Sequence, residues 1–276
     1  SKISGMKRFL RTSGIDPREF VDGPAALDTA RKMFERKIKY WDCRPLPSDE
    51  HSVVCPADSR VTLGATRDLS AQPIKDKLFE SAELLGGSPS SWSLHFEGGA
   101  YAVFRLTPEK YHYTHSPVTG DVEDFYAVEG RYHSCNPNAV VQLLTPHSKN
   151  RRIVTILNSD CPGGTGVGRV AMIEVVALMV GQIEQRYSEC EYRDPRPVEK
   201  GKRLLRGVPK ALFRPGSSTV VLLFQRGRIE FADDLVCNQQ RADVRSRYST
   251  AFGEVLVETD VMVRSLLATP VRRSFL

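Results

Sequence analysis

Residues 213–224, Phe-Arg-Pro-Gly-Ser-Ser-Thr-Val-Val-Leu-Leu-Phe, constrain the fold more than any other stretch of the chain. The six residues from Thr219 to Phe224 are all β-branched or apolar, a composition that reads as a buried strand. The Gly and two Ser ahead of it read as a tight turn, which puts Ser217 and Ser218 at the mouth of the strand. Two readings of the turn are open. In one it is a polar turn feeding a core strand. In the other, one of the serines attacks its own backbone: Oγ adds to the preceding carbonyl, the peptide passes to an ester, and β-elimination cuts the chain. Gly216 suits the second reading, since a residue without a side chain lets the peptide distort towards tetrahedral geometry. That chemistry also needs a base from elsewhere in the chain.

The 276 residues suffice for one large core or two modest domains, and 41% apolar with 26% charged residues argues against disorder. Six cysteines, at positions 43, 55, 135, 161, 190 and 237, include no pair at zinc spacing and are too sparse for a disulfide framework. They read as free thiols in a reducing compartment. Glu174 interrupts the apolar run over 173–183, so no helix is expected to cross a bilayer. The chain opens on Ser1 and not Met, which leaves room for a targeting or anchoring segment ahead of it. A net charge of +6 favours anionic partners, either phospholipid headgroups or nucleic acid. Lys2, Lys7, Arg8 and Arg11 around Met6, Phe9 and Leu10 form a basic amphipathic opening suited to a membrane surface, or a frayed terminus. Nucleic acid is disfavoured, because the basic run Lys200, Lys202, Arg203, Arg206 and Lys210 has no interleaved aromatics on which bases would stack. The glycine-rich 163–168 stretch is followed by Arg169-Val170 where a phosphate loop needs Lys and Ser or Thr, and reads as a plain loop.

Asp22-Gly23-Pro24 signals a helix start, and Leu27, Ala30, Phe34, Ile38 and Trp41 recur at helical spacing, which predicts one helix with its apolar stripe in the core. Beyond Pro47 the pattern changes to short apolar runs, over 52–55, 61–64, 100–106, 124–128, 140–144, 153–157 and 170–180, each closed by Pro, Gly, Asp or Ser. The expected fold is α+β: one large β-rich domain of packed antiparallel sheets over 47–276, behind a helical N-terminal cap over 1–46.

His112 and His115 lie three apart, just after the expected strand over 100–106. With no acidic third ligand at a local spacing, a shared metal is not expected, and a general base is the better functional reading. Asp58, in the turn Pro56-Ala57-Asp58, is the candidate carboxylate to orient an imidazole. Taken one at a time, each of these residues also reads as an ordinary turn or core residue.

Seven segments in the same order resemble the phosphatidylserine decarboxylase family. Phe34-Glu35-Arg36 with Arg44-Pro45 resembles the family's FxR…RP entry, and Pro56-Ala57-Asp58 its PADG. Ile74-Lys75 with Leu84-Leu85-Gly86 is similar to IKG…LLG, and Tyr111-His112 to His115-Ser116-Pro117 with Gly120 to YHRxHxPxxG. Asn136-Pro137 and Asn150-Arg151-Arg152 follow, near NP and NER, and Phe213 to Val220 resembles FxxGGSTV. Departures are Ser59 for the Gly of PADG, Tyr113 for the Arg between the histidines, Arg151 for the Glu of NER, and a KGxExGxF lead-in that reads as stretched, starting at Lys200-Gly201.

The resemblance implies a proenzyme that cuts itself at 217/218 by an Asp–His–Ser arrangement. Asp58 would orient His115, His115 would deprotonate the serine, and His112 would lie close by. It implies a pyruvoyl group derived from Ser218, with Ser217 as the less favoured choice, and no metal. That group would decarboxylate phosphatidylserine to phosphatidylethanolamine through a Schiff base, at an anionic membrane surface that the protein meets peripherally. The compartment is left open. The two cut chains would stay associated, and a homodimer is left open. The alternatives are a soluble decarboxylase of a free aromatic amino acid and an uncut scaffold or binding homologue.

Overall fold

Residues 219–224 have no polar face to expose, and the chain builds its largest sheet around them. The computed structural model describes residues 10, 12–65, 81–87, 92–131, 149–176, 182–216, 218–246, 249–250 and 255–271. Among these the strands are, in chain order, β1 (Val53–Val54), β2 (Ser59–Ala65), β3 (Ala100–Leu106), β4 (Tyr113–His115), β5 (Gly120–Val128), β6 (Arg152–Asn158) and β7 (Arg169–Val176). Then follow β8 (Ile183–Gln185), β9 (Arg203–Leu204), β10 (Pro209–Phe213), β11 (Ser218–Phe224), β12 (Ile229–Phe231), β13 (Thr259–Val261) and β14 (Leu266–Pro270). The short helices are α1 (Ala30–Phe34), α2 (Tyr40–Cys43), α3 (Ser81–Leu84), α4 (Ser93–Phe96) and α5 (Asp233–Gln239).

Eight strands form one sheet in the order β13-β2-β3-β11-β7-β6-β5-β9, and two three-stranded sheets run β4-β10-β8 and β1-β14-β12. β11 is central and antiparallel to both neighbours, with Val220 opposite Phe104 of β3 and Glu174 of β7. Its side chains alternate between two cores. Val220, Leu222 and Phe224 join the larger one with Phe104, Met172 and Phe213. Val221 and Leu223 join a second with Ile173, Leu84, Leu85 and Phe96. This is the α+β arrangement of packed antiparallel sheets expected from the spacing of the apolar runs; the run over 140–144 lies outside the described residues.

The single helix expected from Pro24 past Trp41 is instead three pieces. A 3-10 turn, Pro24–Ala26, precedes α1 and α2. Between the helices Ile38 bridges to Phe20 in β fashion, and the Arg36 guanidinium donates to Met33 O, Lys110 O and Glu109 O. Those tertiary contacts break the periodic segment while Leu27, Phe34 and Ile38 stay buried. The glycine-rich stretch is a loop between β6 and β7, with Gly163, Gly166 and Gly168 at φ of +70°, +79° and +78°.

The basic run over 200–210 is not a basic face. Arg203 pairs with Asp121 at 2.8 Å, and Arg206 donates to Ser52 O at 3.0 Å. Lys210 is 0% exposed and pairs with Glu174, also 0% exposed, at 2.6 Å. Gln185 Oε1 accepts from the same ammonium at 3.1 Å, and Thr114 Oγ1 donates to Glu174 at 2.6 Å. This ion pair joins β7 of the large sheet to β10 and β4 of the smaller one.

Candidate active site

Ser218 opens β11, 2% exposed, opposite Leu106 of β3 and Val176 of β7. Its Oγ is buried and has no hydrogen-bond partner among the described residues. A buried hydroxyl is normally bonded, so an orphan is either a cost or a reagent. Gly216, two residues earlier, has φ +155°; Ser217 lies outside the described residues.

From Leu106 the chain runs on to His112, just ahead of β4, and to His115 at its end, and the two histidines differ in environment. His112 faces the end of β10, where its carbonyl accepts Phe213 N–H at 3.0 Å. Nδ1 stands 2.8 Å from Lys110 O and therefore carries the proton. The ring stacks on Phe34 with centroids 3.5 Å apart. Nε2, the lone-pair side, is buried with no partner among the described residues. His112, next to β4, and Ser218, in β11, belong to different sheets, and the chain links them at two places: Ser218 pairs with Leu106, from which the chain runs on to His112, and His112 O accepts from Phe213, five residues before Ser218.

His115 is held at both nitrogens. Nδ1 donates to Gly207 O at 2.9 Å, which makes Nε2 the acceptor of the Tyr111 hydroxyl at 2.9 Å. The Tyr111 and Tyr192 hydroxyls share a hydrogen bond of 2.7 Å, and Tyr192 Oη also donates to Ile38 O at 2.9 Å and accepts Ile38 N–H at 3.2 Å. Tyr192 reaches this position from a loop where it has φ +66°. Gly207 has φ +73°, a left-handed conformation that favours glycine, and a Cβ there would meet Leu46 Cδ2 at 2.6 Å.

Asp58 is buried and bonded, but not to His115. Arg44 holds it with two hydrogen bonds, of 3.2 and 2.9 Å, and Val263 N–H donates to Oδ1 at 2.7 Å. Arg44 also grips Glu19 at 2.8 and 3.0 Å. Burial works against its charge, but the bonds to the two carboxylates outweigh this and raise its pKa. Val261 pairs with Ser59, Arg60 with Arg105, and Ser218 with Leu106. Asp58 therefore stands two strands from Ser218, about 10 Å at the usual strand spacing. Its link to His115 runs through the backbone, because Pro56 O in the same turn accepts His115 N–H at 2.8 Å.

A sequence profile of the family described as phosphatidylserine decarboxylase matches residues 30–254, which include Asp58, His112, His115 and Ser218. The chain belongs to the phosphatidylserine decarboxylase family. Among its relatives, the phosphatidylserine decarboxylase proenzyme of Bordetella petrii is 31% identical over 246 residues, covering 83% of this chain and 80% of that protein. The proenzyme of Azotobacter vinelandii is 29% identical over 245 residues, 85% of this chain and 82% of its own. That of Chlamydia trachomatis is 34% identical over 224 residues, 80% and 68%.

Within this decarboxylase family the lead-in to the serine needs re-reading. Counted back from Phe213, the KGxExGxF pattern falls on Arg206-Gly207, not on Lys200-Gly201, and nothing is stretched. Gly207 is then the residue whose carbonyl fixes His115. Pro209 occupies the Glu position of the pattern and pairs with His115 in the ladder. Sequence reasoning did not single out Arg44, Tyr192 or Gly207 as site residues; the spacing to Phe213 was the available signal for Gly207. Ile74-Lys75 and Asn136-Pro137 lie outside the described residues. Among those described, no group of His, Cys, Asp or Glu is arranged to hold a metal ion, and no helix is long and apolar enough to cross a membrane.

Burial pushes the pKa of His112 and of His115 down to about 3, so both are neutral in the folded protein. In the unfolded chain each imidazole takes its proton near pH 6.5. Between about 6.5 and 3 the unfolded chain therefore binds more protons, and each histidine removes about 1.4 kcal/mol of stability per unit of falling pH. Unfolding free energy measured from pH 7.5 to 5 should be flat above 6.5 and decline below it. His115→Asn should remove about half of that histidine slope. An unchanged slope in the variant would place His115 in contact with water.

Proposed function

We propose that the chain is a pyruvoyl-dependent decarboxylase that cuts itself between residues 217 and 218 and converts phosphatidylserine to phosphatidylethanolamine. The observation that carries this reading is the Ser218 hydroxyl, buried at the head of the central strand with no partner among the described residues. Oγ adds to the carbonyl of residue 217 and the peptide becomes an ester. Loss of the Cα proton then expels the carboxylate of residue 217, and the dehydroalanine left at 218 takes up water and releases ammonia. A pyruvoyl group formed there supplies an electrophilic ketone that draws off the electrons of the departing substrate carboxylate.

The residues around it hold and move protons. The two neutral imidazoles are the candidate proton acceptors; Nε2 of His112 has no partner among the described residues, and that of His115 is held by the Tyr111 hydroxyl. Asp58 is a positioning residue: bonded to Arg44 and Val263 N–H, it pins the turn whose Pro56 carbonyl holds His115. Residues 1–46 are read as a cap on the sheets, joined to them by Arg44–Asp58 at 2.9 Å and Arg214–Glu35 at 2.7 Å. The net charge of +6 and the basic opening suit peripheral docking on anionic lipid; of that opening, all but Leu10 lies outside the described residues.

Cut protein should release carbon dioxide from phosphatidylserine vesicles, more slowly as salt rises, and should ignore free serine and tryptophan. Asp58→Asn and His115→Ala should remain folded and slow the cut by about a hundredfold or more. Turnover of tryptophan with none on vesicles would overturn the lipid assignment, and normal cutting by both variants would remove Asp58 and His115 from the mechanism.

A further inference from the structure

Arg264 occupies the turn between β13 and β14 at φ +73°, a left-handed conformation that is strained for a non-glycine residue. It lies beyond the span matched by the family profile, yet it touches the supports of the site from three directions. Its N–H donates to Cys55 O at 2.9 Å, and the preceding Val263 N–H is the one that holds Asp58. Its Cγ stands 3.4 Å from where a Cβ on Gly207 would be, and Gly207 O receives His115 Nδ1. Its guanidinium lies 5.0 Å from the centre of the Tyr40 ring, and that ring meets His115 edge-on at 5.0 Å.

Among the described residues the guanidinium has no acceptor to donate to. Nε is buried without a partner among the described residues, and no carboxylate or carbonyl among them accepts from the rest of the fork. The neighbouring arginines are provided for: Arg44 has Asp58 and Glu19, and Arg206 has the carbonyls of Pro47, Asp49 and Ser52. Five donors in a rigid plane, partly desolvated and held on a strained backbone, match a tetrahedral oxyanion.

We propose that Arg264 is the phosphate-recognition residue of this site, taking the phosphodiester of the lipid headgroup while the serine moiety lies against His115. The proposal rests on the decarboxylase reading. Of the two anionic groups on that headgroup, the carboxylate is the wrong one for a guanidinium. Its charge leaves during the reaction, and a cation bonded to it would stabilise the ground state over the transition state. The phosphodiester keeps its charge throughout, so binding it is uniform and should appear in KM and not in kcat.

The test uses protein whose self-cutting has been verified by intact mass, with Arg264→Gln, Arg264→Lys and Arg264→Gly, the last relieving the backbone strain. On vesicles of phosphatidylserine in phosphatidylcholine, Gln and Gly should raise KM about tenfold or more with kcat within about twofold, and Lys should recover part of the loss. In calorimetry, glycerophosphoserine and inorganic phosphate should bind the parent and bind Gln and Gly at least about fivefold more weakly. An unchanged KM, or a fall in kcat alone, overturns the proposal. If the parent turns over no phosphatidylserine, the decarboxylase reading fails, and the calorimetry still decides: phosphate affinity lost with Arg264 supports a phosphate site, and none in the parent removes it.

Discussion

Ser218→Ala is expected to yield one uncut chain of 276 residues, where the parent yields two, the second starting at residue 218 with a blocked N-terminus. The effect should be all or none. The hydroxyl is the only nucleophile proposed for the cut, and an unassisted peptide bond does not break on a laboratory timescale. Ser217→Ala is the matched control. It alters the other serine of the turn, and since Ser218 opens β11 and pairs with Leu106 and Val176, the nucleophile keeps its seat and the cut should proceed. Intact mass of the three proteins separates the outcomes. A cut in Ser218→Ala that is absent from Ser217→Ala would move the nucleophile one residue back, and an uncut parent would leave the scaffold reading.

The second large effect is on stability. Lys210→Met should destabilise the protein by about 3 to 5 kcal/mol, because it strands the Glu174 carboxylate in a dry interior. Adding Glu174→Leu should recover most of that loss, since two apolar side chains in that space leave no charge uncompensated. Urea unfolding of the Ser218→Ala background, a single chain, measures both. A single-variant cost under about 1 kcal/mol would mean that water reaches Glu174. Thr114, which donates to Glu174 at 2.6 Å, sits between the two histidines. The single variant should therefore also slow self-cutting in a chain that retains Ser218.

Strands were legible in the sequence where their composition left one choice. The runs at 100–106 and 219–224 are apolar throughout, and the sheet that buries them has the expected class. The helical cap was less so: Leu27 to Trp41 carries a true apolar stripe, but the contacts that break it, Phe20 with Ile38 and Arg36 with the carbonyls of Glu109 and Lys110, come from distant segments. Lys210 looked like one more surface cation because charge in a list says nothing about which strand faces are covered. At the site, Asp58, His112, His115 and Ser218 were named from chemistry and order. Invisible from spacing was that Arg44 would claim Asp58, or that Tyr111 and Tyr192 would claim the far nitrogen of His115, since both depend on side chains that meet only after folding.

The place of β11 in the large sheet would make the cut protein a different kind of object from its precursor. Residues 218–224 are laced to β3 on one side and β7 on the other, so the proposed cut just ahead of them would open no ladder and the two pieces would hold together as one body. Unfolding the cut form, however, releases two molecules. Re-forming the central strand then becomes a bimolecular event, slower on dilution and in competition with the aggregation of an apolar segment that has lost its neighbours. Refolding of the uncut precursor is unimolecular and should not depend on concentration; the cut form should instead have a folded lifetime set by the rate at which it comes apart.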